Sequence, residues 1–268
     1  MELLLQGSGS ADGIPAMFAD SRVSRYARHF GGKDVRSRSA ALIDGHLKLD
    51  LGPDSFSQAI RDKIEPREWS GIFFTHSHDD HYAYQELQYM LYPFTDLEFA
   101  PLTIYGNQVV LSGISKYYQA WPFDLVPTKS FESFMHANYK VTPISAYHML
   151  DEDSMNFIFE EDGKSILYGT DTGVWREPTW EFLGDVSIDL LVLECTEGRV
   201  PTSYHGHMDV LELIATVERL RKIGTLHDES IIVSTHHSHV GDLTHNELEE
   251  ILGPHGITVG FDSLSISI

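Results

Sequence analysis

The sequence predicts a layered α/β fold, and three observations carry that prediction. Short apolar runs rich in β-branched residues alternate along the chain with amphipathic segments of helical period. Those runs, such as 188–193 and 231–233, are strand-sized and are bounded by polar residues. Polar and imidazole side chains begin where such runs stop, which is where ligands gather in open α/β sheets. With 268 residues, 42% of them hydrophobic, and no internal repeat or low-complexity linker, a single domain over residues 1–268 can bury its own core.

In chain order, a strand at 2–6 runs into the small-residue turn Gly7-Ser8-Gly9-Ser10-Ala11-Asp12-Gly13. The basic stretch from Arg22 to Arg38 reads as loop. Strands follow at 39–43 and 46–51, a helix at 55–63, and a short buried strand at 71–75 that ends on a run of histidines and aspartates. A helix at 79–91, a strand at 102–105 and a helix at 108–119 come next. Strands at 140–144, 155–159, 165–168 and 189–194 precede a helix at 210–223. That helix has the best start signal, because Asp209-Val210-Leu211-Glu212 reads as a capping box ahead of an apolar stripe. A strand at 230–234, a helix at 245–252 and strands at 257–261 and 264–268 complete the order.

Charge and cysteine usage narrow the function. The 40 acidic residues against 19 basic ones give a net charge of −21, which repels a phosphate backbone, so no nucleic-acid partner is expected. No apolar run approaches the ~20 residues of a membrane span, and Met1-Glu2-Leu3 opens no secretory signal, so the expected location is the cytoplasm. The single Cys195 allows neither an intramolecular disulfide nor a Cys-rich zinc site, leaving any metal to His and carboxylate. Fifteen histidines are more than structure alone usually requires.

The run His76-Ser77-His78-Asp79-Asp80-His81 holds three imidazoles and two carboxylates in six residues. These donors suit Zn²⁺, or Mn²⁺ or Fe where carboxylate content is high. On an extended turn His76 and His78 project to one side, while Asp80 and His81 point to a second position. Two metals ~3.5–4 Å apart need a bridging ligand, and one carboxylate can supply it. Asp171, between small residues in Gly169-Thr170-Asp171-Thr172-Gly173, is suited to that place. Isolated histidines (His29, His46, His136, His227, His237, His245, His255) read as solvated or core residues. Asp50 and Asp54 divide between turn chemistry and support of a ligand.

With these residues in view, the chain resembles the metallo-β-lactamase superfamily, whose H-x-H-x-D-H motif stands here as His76, His78, Asp80 and His81. The resemblance implies a four-layer αββα sandwich. It assigns His148 as the next metal ligand, Asp171 as the bridging aspartate and His236, in Ser234-Thr235-His236-His237-Ser238-His239, as the last histidine. The turn at 7–15, the pair Gly206-His207 and the ending around His236 and His239 are most similar to the cyclic-phosphate phosphodiesterases of phosphonate breakdown. Many of those carry a Cys-rich zinc insert near the N-terminus; the matching stretch 21–38 has no cysteine.

The resemblance implies two divalent metal ions, a small phosphate ester, cyclic or acyclic, as substrate, and hydrolysis by a hydroxide that the metals hold, assisted by Asp80. No Gly-x-Ser-x-Gly elbow suggests a protein nucleophile. His207 and His239 resemble family histidines beside the metals and are candidates to protonate the leaving group. His205 rivals His207, which is preferred because it sits against the capped start of the following helix. Carbonyl-ester hydrolysis of a thioester, lactone or lactam is the alternative activity. A non-catalytic carrier like the pyrroloquinoline quinone B proteins is another, although those tend to have degraded metal motifs. The aromatic stretch 117–123 could shape a pocket, end a helix or form a homodimer contact.

Overall fold

The computed structural model describes residues 1–91, 93–95, 102–118, 123–200 and 202–268. Two seven-stranded sheets lie face to face. In spatial order the first contains β14 (Leu264–Ser267), β1 (Glu2–Gly7), β2 (Ala40–Ile43), β3 (Leu47–Leu49), β4 (Gly71–Phe73), β5 (Thr103–Gly106) and β6 (Asp124–Pro127). The second runs β13 (Thr258–Val259), β12 (Leu226–Thr235), β11 (Ile188–Glu194), β10 (Lys164–Gly169), β9 (Met155–Glu161), β8 (Tyr139–Ser145) and β7 (Phe134–His136).

The central strands β9, β10 and β11 are largely apolar runs because both of their faces are covered. In β9, Phe157 and Phe159 enter the core between the sheets, while Ile158 turns outward beneath helices; β11 repeats this with Leu190 and Val192 inward and Leu191 and Leu193 outward. The outer faces are covered by α3 (Gln108–Tyr117) on the first sheet and by α4 (Glu177–Leu183), α5 (Val210–Ile223) and α6 (His245–Leu252) on the second. Helix α2 (Ser55–Asp62) packs near β1. The result is the αββα metallo-β-lactamase sandwich. No helix among the described residues is long and apolar enough to cross a membrane.

The sequence reading departs from this structure in several places. No helix spans 79–91; a turn is followed by a 3-10 segment at Tyr84–Met90. The backbone of 81–83 is already committed to Leu51, whose N–H donates to His81 O and whose carbonyl accepts from Ala83 N, so it cannot close helical turns. Residues 22–30, expected as loop, form α1 (Arg22–Phe30), capped by the Ser21 hydroxyl and ended at Gly31 with φ 65°. Helix α4 and the short edge strands β6 and β7 were not expected. Helix α3 ends at Tyr117, and residues 119–122 of the aromatic stretch lie outside the described residues.

The outer side of β3 buries Lys48, whose Nζ donates to Gln6 Oε1 at 2.7 Å. Burial, against a smaller opposing pull from Asp50 and Asp62, lowers its pKa to about 7. The native chain therefore holds fewer protons than the unfolded chain between pH 7 and the ordinary lysine range, and stability rises with pH across that window. Accordingly, the melting-temperature difference between wild type and Lys48→Met is expected to move in favour of wild type from pH 7 to pH 10. A difference independent of pH would contradict the depressed value.

Candidate metal centre

The site forms at the carboxyl ends of strands in both sheets. The turn after β4 carries His76, His78, Asp80 and His81; the loop after β8 carries His148; Asp171 follows β10, and His236 follows β12. The loops after β8 and β10 are fastened together, since Tyr147 N donates to Thr172 Oγ1 and Gly173 N donates to Tyr147 O, both at 2.9 Å.

The seven side chains that the sequence nominates fall into two groups that share Asp171. His76, His78, His148 and Asp171 form one, and Asp80, His81, Asp171 and His236 the other, with ligand atoms in each group within 4.8 Å of one another. Asp171 Oδ1 faces His148 Nε2 at 3.6 Å and His76 Nε2 at 4.0 Å, while Oδ2 faces His81 Nε2 at 2.9 Å and His236 Nε2 at 3.1 Å. All but the half-buried His78 are buried. Asp79 is exposed and belongs to neither group.

The outer nitrogens of these rings decide what the inner ones offer. His148 Nδ1 faces the Gly206 carbonyl at 3.0 Å, which only accepts, so Nδ1 carries the proton and Nε2 is a bare lone pair in the neutral ring. Thr75 Oγ1 donates to Asp50 and Thr196 Oγ1 donates to Glu194, so each hydroxyl accepts from a histidine: His76 Nδ1 at 3.0 Å and His236 Nδ1 at 2.7 Å. His81 Nδ1 lies 2.7 Å from Asp50 Oδ2. His76 Nε2 and His148 Nε2 then both approach His78 Nδ1, at 2.9 and 3.0 Å; a proton on His78 Nδ1 satisfies one of these lone pairs at a time, whereas a cation among the three nitrogens satisfies all of them.

The second group has the same requirement. Asp80 Oδ2, His81 Nε2 and His236 Nε2 are buried with no hydrogen-bond partner among the described residues. His81 Nε2 is 3.0 Å from Asp80 Oδ2, but the contact lacks hydrogen-bond geometry. Burial works against a charged His81, yet Asp171, Asp80 and Asp50 outweigh it and hold its pKa well above the ordinary value. Burial likewise opposes the anionic forms of Asp171 and Asp80, but the surrounding histidines hold both carboxyls well below their usual range. Positive charge thus belongs at this point, as a proton or as a metal that displaces it. Nitrogen and carboxylate donors with orphaned buried lone pairs fit divalent cations.

Two buried carboxylates support the cluster, each reaching two imidazoles. Asp50 meets His81 directly and His76 through Thr75; Glu194 meets His207 directly, Oε1 to Nδ1 at 2.8 Å, and His236 through Thr196. Asp50 is thus a supporting residue, while Asp54 pairs with Arg38. Glu194 escapes the sequence reading, although its signal is present: a charged residue that ends the buried run of β11 with no turn residue between.

His207 stacks on His236 at 5.3 Å between centroids and lies 4.8 Å from His148. Burial opposes its charged form, but Glu194 outweighs this and pushes the pKa up to about 9. His205 is exposed, and its backbone carbonyl packs close against Gly173. His239 stands apart from the converging groups, with Nε2 2.8 Å from Asp12 Oδ2.

Comparison with known proteins agrees with this fold. No curated protein matches the chain in sequence at a significant level. Among solved structures, a diphosphatase from the PhnP family is similar at 24% identity and TM-score 0.78, over 99% of this chain and 96% of that one. Zn²⁺-bound PqqB from Methylobacterium extorquens is similar at 17% identity and TM-score 0.78 over the whole of both chains. The short form of human tRNase Z follows at 20% identity and TM-score 0.65, over 100% and 99%. At these identities the likenesses show a shared fold. The model of the beta-lactamase superfamily domain matches residues 47–237, from β3 through the last histidines of the site, and the chain belongs to that superfamily.

Proposed function

We propose that the protein is a dinuclear metal-dependent phosphodiesterase acting on a small phosphate ester. The observation that carries this reading is the division of Asp171, which offers one oxygen to each of two donor groups. In this reading His76, His78 and His148 hold one ion, Asp80, His81 and His236 hold the other, and Asp171 lies between them. Zn²⁺ and Mn²⁺ both suit these donors. Two such ions polarise a phosphoryl oxygen and make water nucleophilic near neutral pH.

The remaining work falls to the chain. Asp50 and Glu194 fix ring orientations, so the donors are presented without reorganisation. His207, kept protonated by Glu194, is placed to give its Nε2 proton to the leaving oxygen. His239, paired with Asp12, is the weaker candidate because it stands outside the converging groups. The PhnP-family neighbour, described as a diphosphatase, supports chemistry at phosphorus, and the acidity of the chain favours a compact substrate over nucleic acid.

Metal-saturated protein is expected to carry two ions per chain and to hydrolyse bis(p-nitrophenyl) phosphate in preference to a panel of thioesters. One ion at saturation would overturn the dinuclear reading. A preference for thioesters would replace phosphorus by carbonyl chemistry.

A further inference from the structure

Beside the converging donors stands an aromatic ring, Tyr204, whose hydroxyl oxygen lies 3.4 Å from His148 Nδ1. Tyr204 is about half exposed, at 48%, yet its inner side is fixed. Its ring packs edge-on to His207 at 5.5 Å and to His148 at 6.3 Å between centroids. It also lies against Gly206, where a β-carbon would come within 2.4 Å of the hydroxyl and 2.5 Å of Cζ. Residue 206 must therefore remain glycine for the ring to sit there. Two apolar side chains close in sequence to the ligands are exposed: Leu150, two residues after His148, at 81%, and Val174, three after Asp171.

The position of the ring relative to His207 decides what it can touch. His207 stacks on His236 and lies 4.8 Å from His148, so a leaving group that extends from the donors on this side passes His207. The group standing against His207 there is Tyr204. We propose that Tyr204 is a specificity-determining wall on which the leaving group packs, so that the preferred substrates are phosphate esters of planar aromatic or heteroaromatic groups. This rests on the phosphoesterase reading. An aromatic ring is favoured over an aliphatic one of similar size because offset and edge-to-face ring pairs add attraction beyond buried area.

Binding of two uncleavable ligands to the metal-loaded protein tests this, measured by calorimetry: benzylphosphonate, with a methylene in place of the leaving oxygen of a phenyl ester, and cyclohexylmethylphosphonate. Wild type is expected to bind the benzyl compound about ten-fold more tightly. Tyr204→Phe should keep the preference, whereas Tyr204→Ala and Tyr204→Leu, with unchanged metal content, should reduce it to about two-fold or less. Equal affinities in wild type, including no binding of either, would overturn the wall, as would a preference that survives Tyr204→Ala. Loaded protein that shows the preference but fails to hydrolyse bis(p-nitrophenyl) phosphate would count against the phosphoesterase reading and leave the wall standing.

Discussion

Asp171→Ala is expected to lower metal content below two ions per chain and to cut hydrolysis of an activated phosphodiester by about 10³-fold or more, since several kcal/mol of charge stabilisation go with the metals. The size of the effect follows from position: one carboxylate faces four ring nitrogens and serves both donor groups. Asp80→Ala removes a donor from one group only and should spare the ion held by His76, His78 and His148. Asp79→Ala is the internal control, because its side chain is exposed and faces neither group. Metal analysis and initial rates on the three variants decide the matter. Equal losses at Asp79 and Asp80, or two ions retained without Asp171, would show the assignment to be wrong.

His207→Ala should leave the metals in place and slow an alkyl phosphodiester by ~10²–10⁴-fold, while barely affecting esters of p-nitrophenol, whose leaving oxygen hardly needs a proton. The pH profile carries the sign. Because Glu194 raises the pKa of His207, the imidazole keeps its proton to higher pH than it would without that carboxylate, and activity on the alkyl ester falls as pH rises through its pKa. Bound cations repel the imidazolium, so the falling limb lies below the value of about 9 that burial and Glu194 set in the metal-free chain. Glu194→Gln should move the limb to lower pH. A uniform loss on aryl and alkyl esters after His207→Ala would remove the proton-donor role.

Much of the centre is legible in the sequence because its signals are local. A buried strand that stops at Phe73 and is followed by His76-Ser77-His78-Asp79-Asp80-His81 has little structural use for so many donors. The strand β10 followed by Asp171 between small residues is a second such signal. What cannot be read this way depends on distant partners. The turn at 79–83 looks helical until the backbone of Leu51 claims its hydrogen bonds. Helix α1 buries only Val23, Ser24 and Ala27, and the arginines and histidine around that stripe give the segment a polar, loop-like composition. Strand β6 has no buried residue and so shows no alternation. The pairing of Glu194 with His207 joins residues 13 apart across a loop, and no spacing rule predicts it.

Three residues of the centre, Asp50, Asp171 and His236, have φ of 57°, 49° and 55°, in the left-handed region. Aspartate and histidine are among the few non-glycine residues that visit this region readily, whereas β-branched and bulky residues do not. Backbone shape thus restricts the residue alphabet at these positions before any metal does. A glycine would suit the bend and lose the donor; a glutamate would keep a carboxylate but sit less comfortably in the bend and reach a methylene too far. Drift through conservative exchange is therefore closed at Asp171 from both directions, and a homologue that abandons the bridge would be expected to carry glycine or asparagine there.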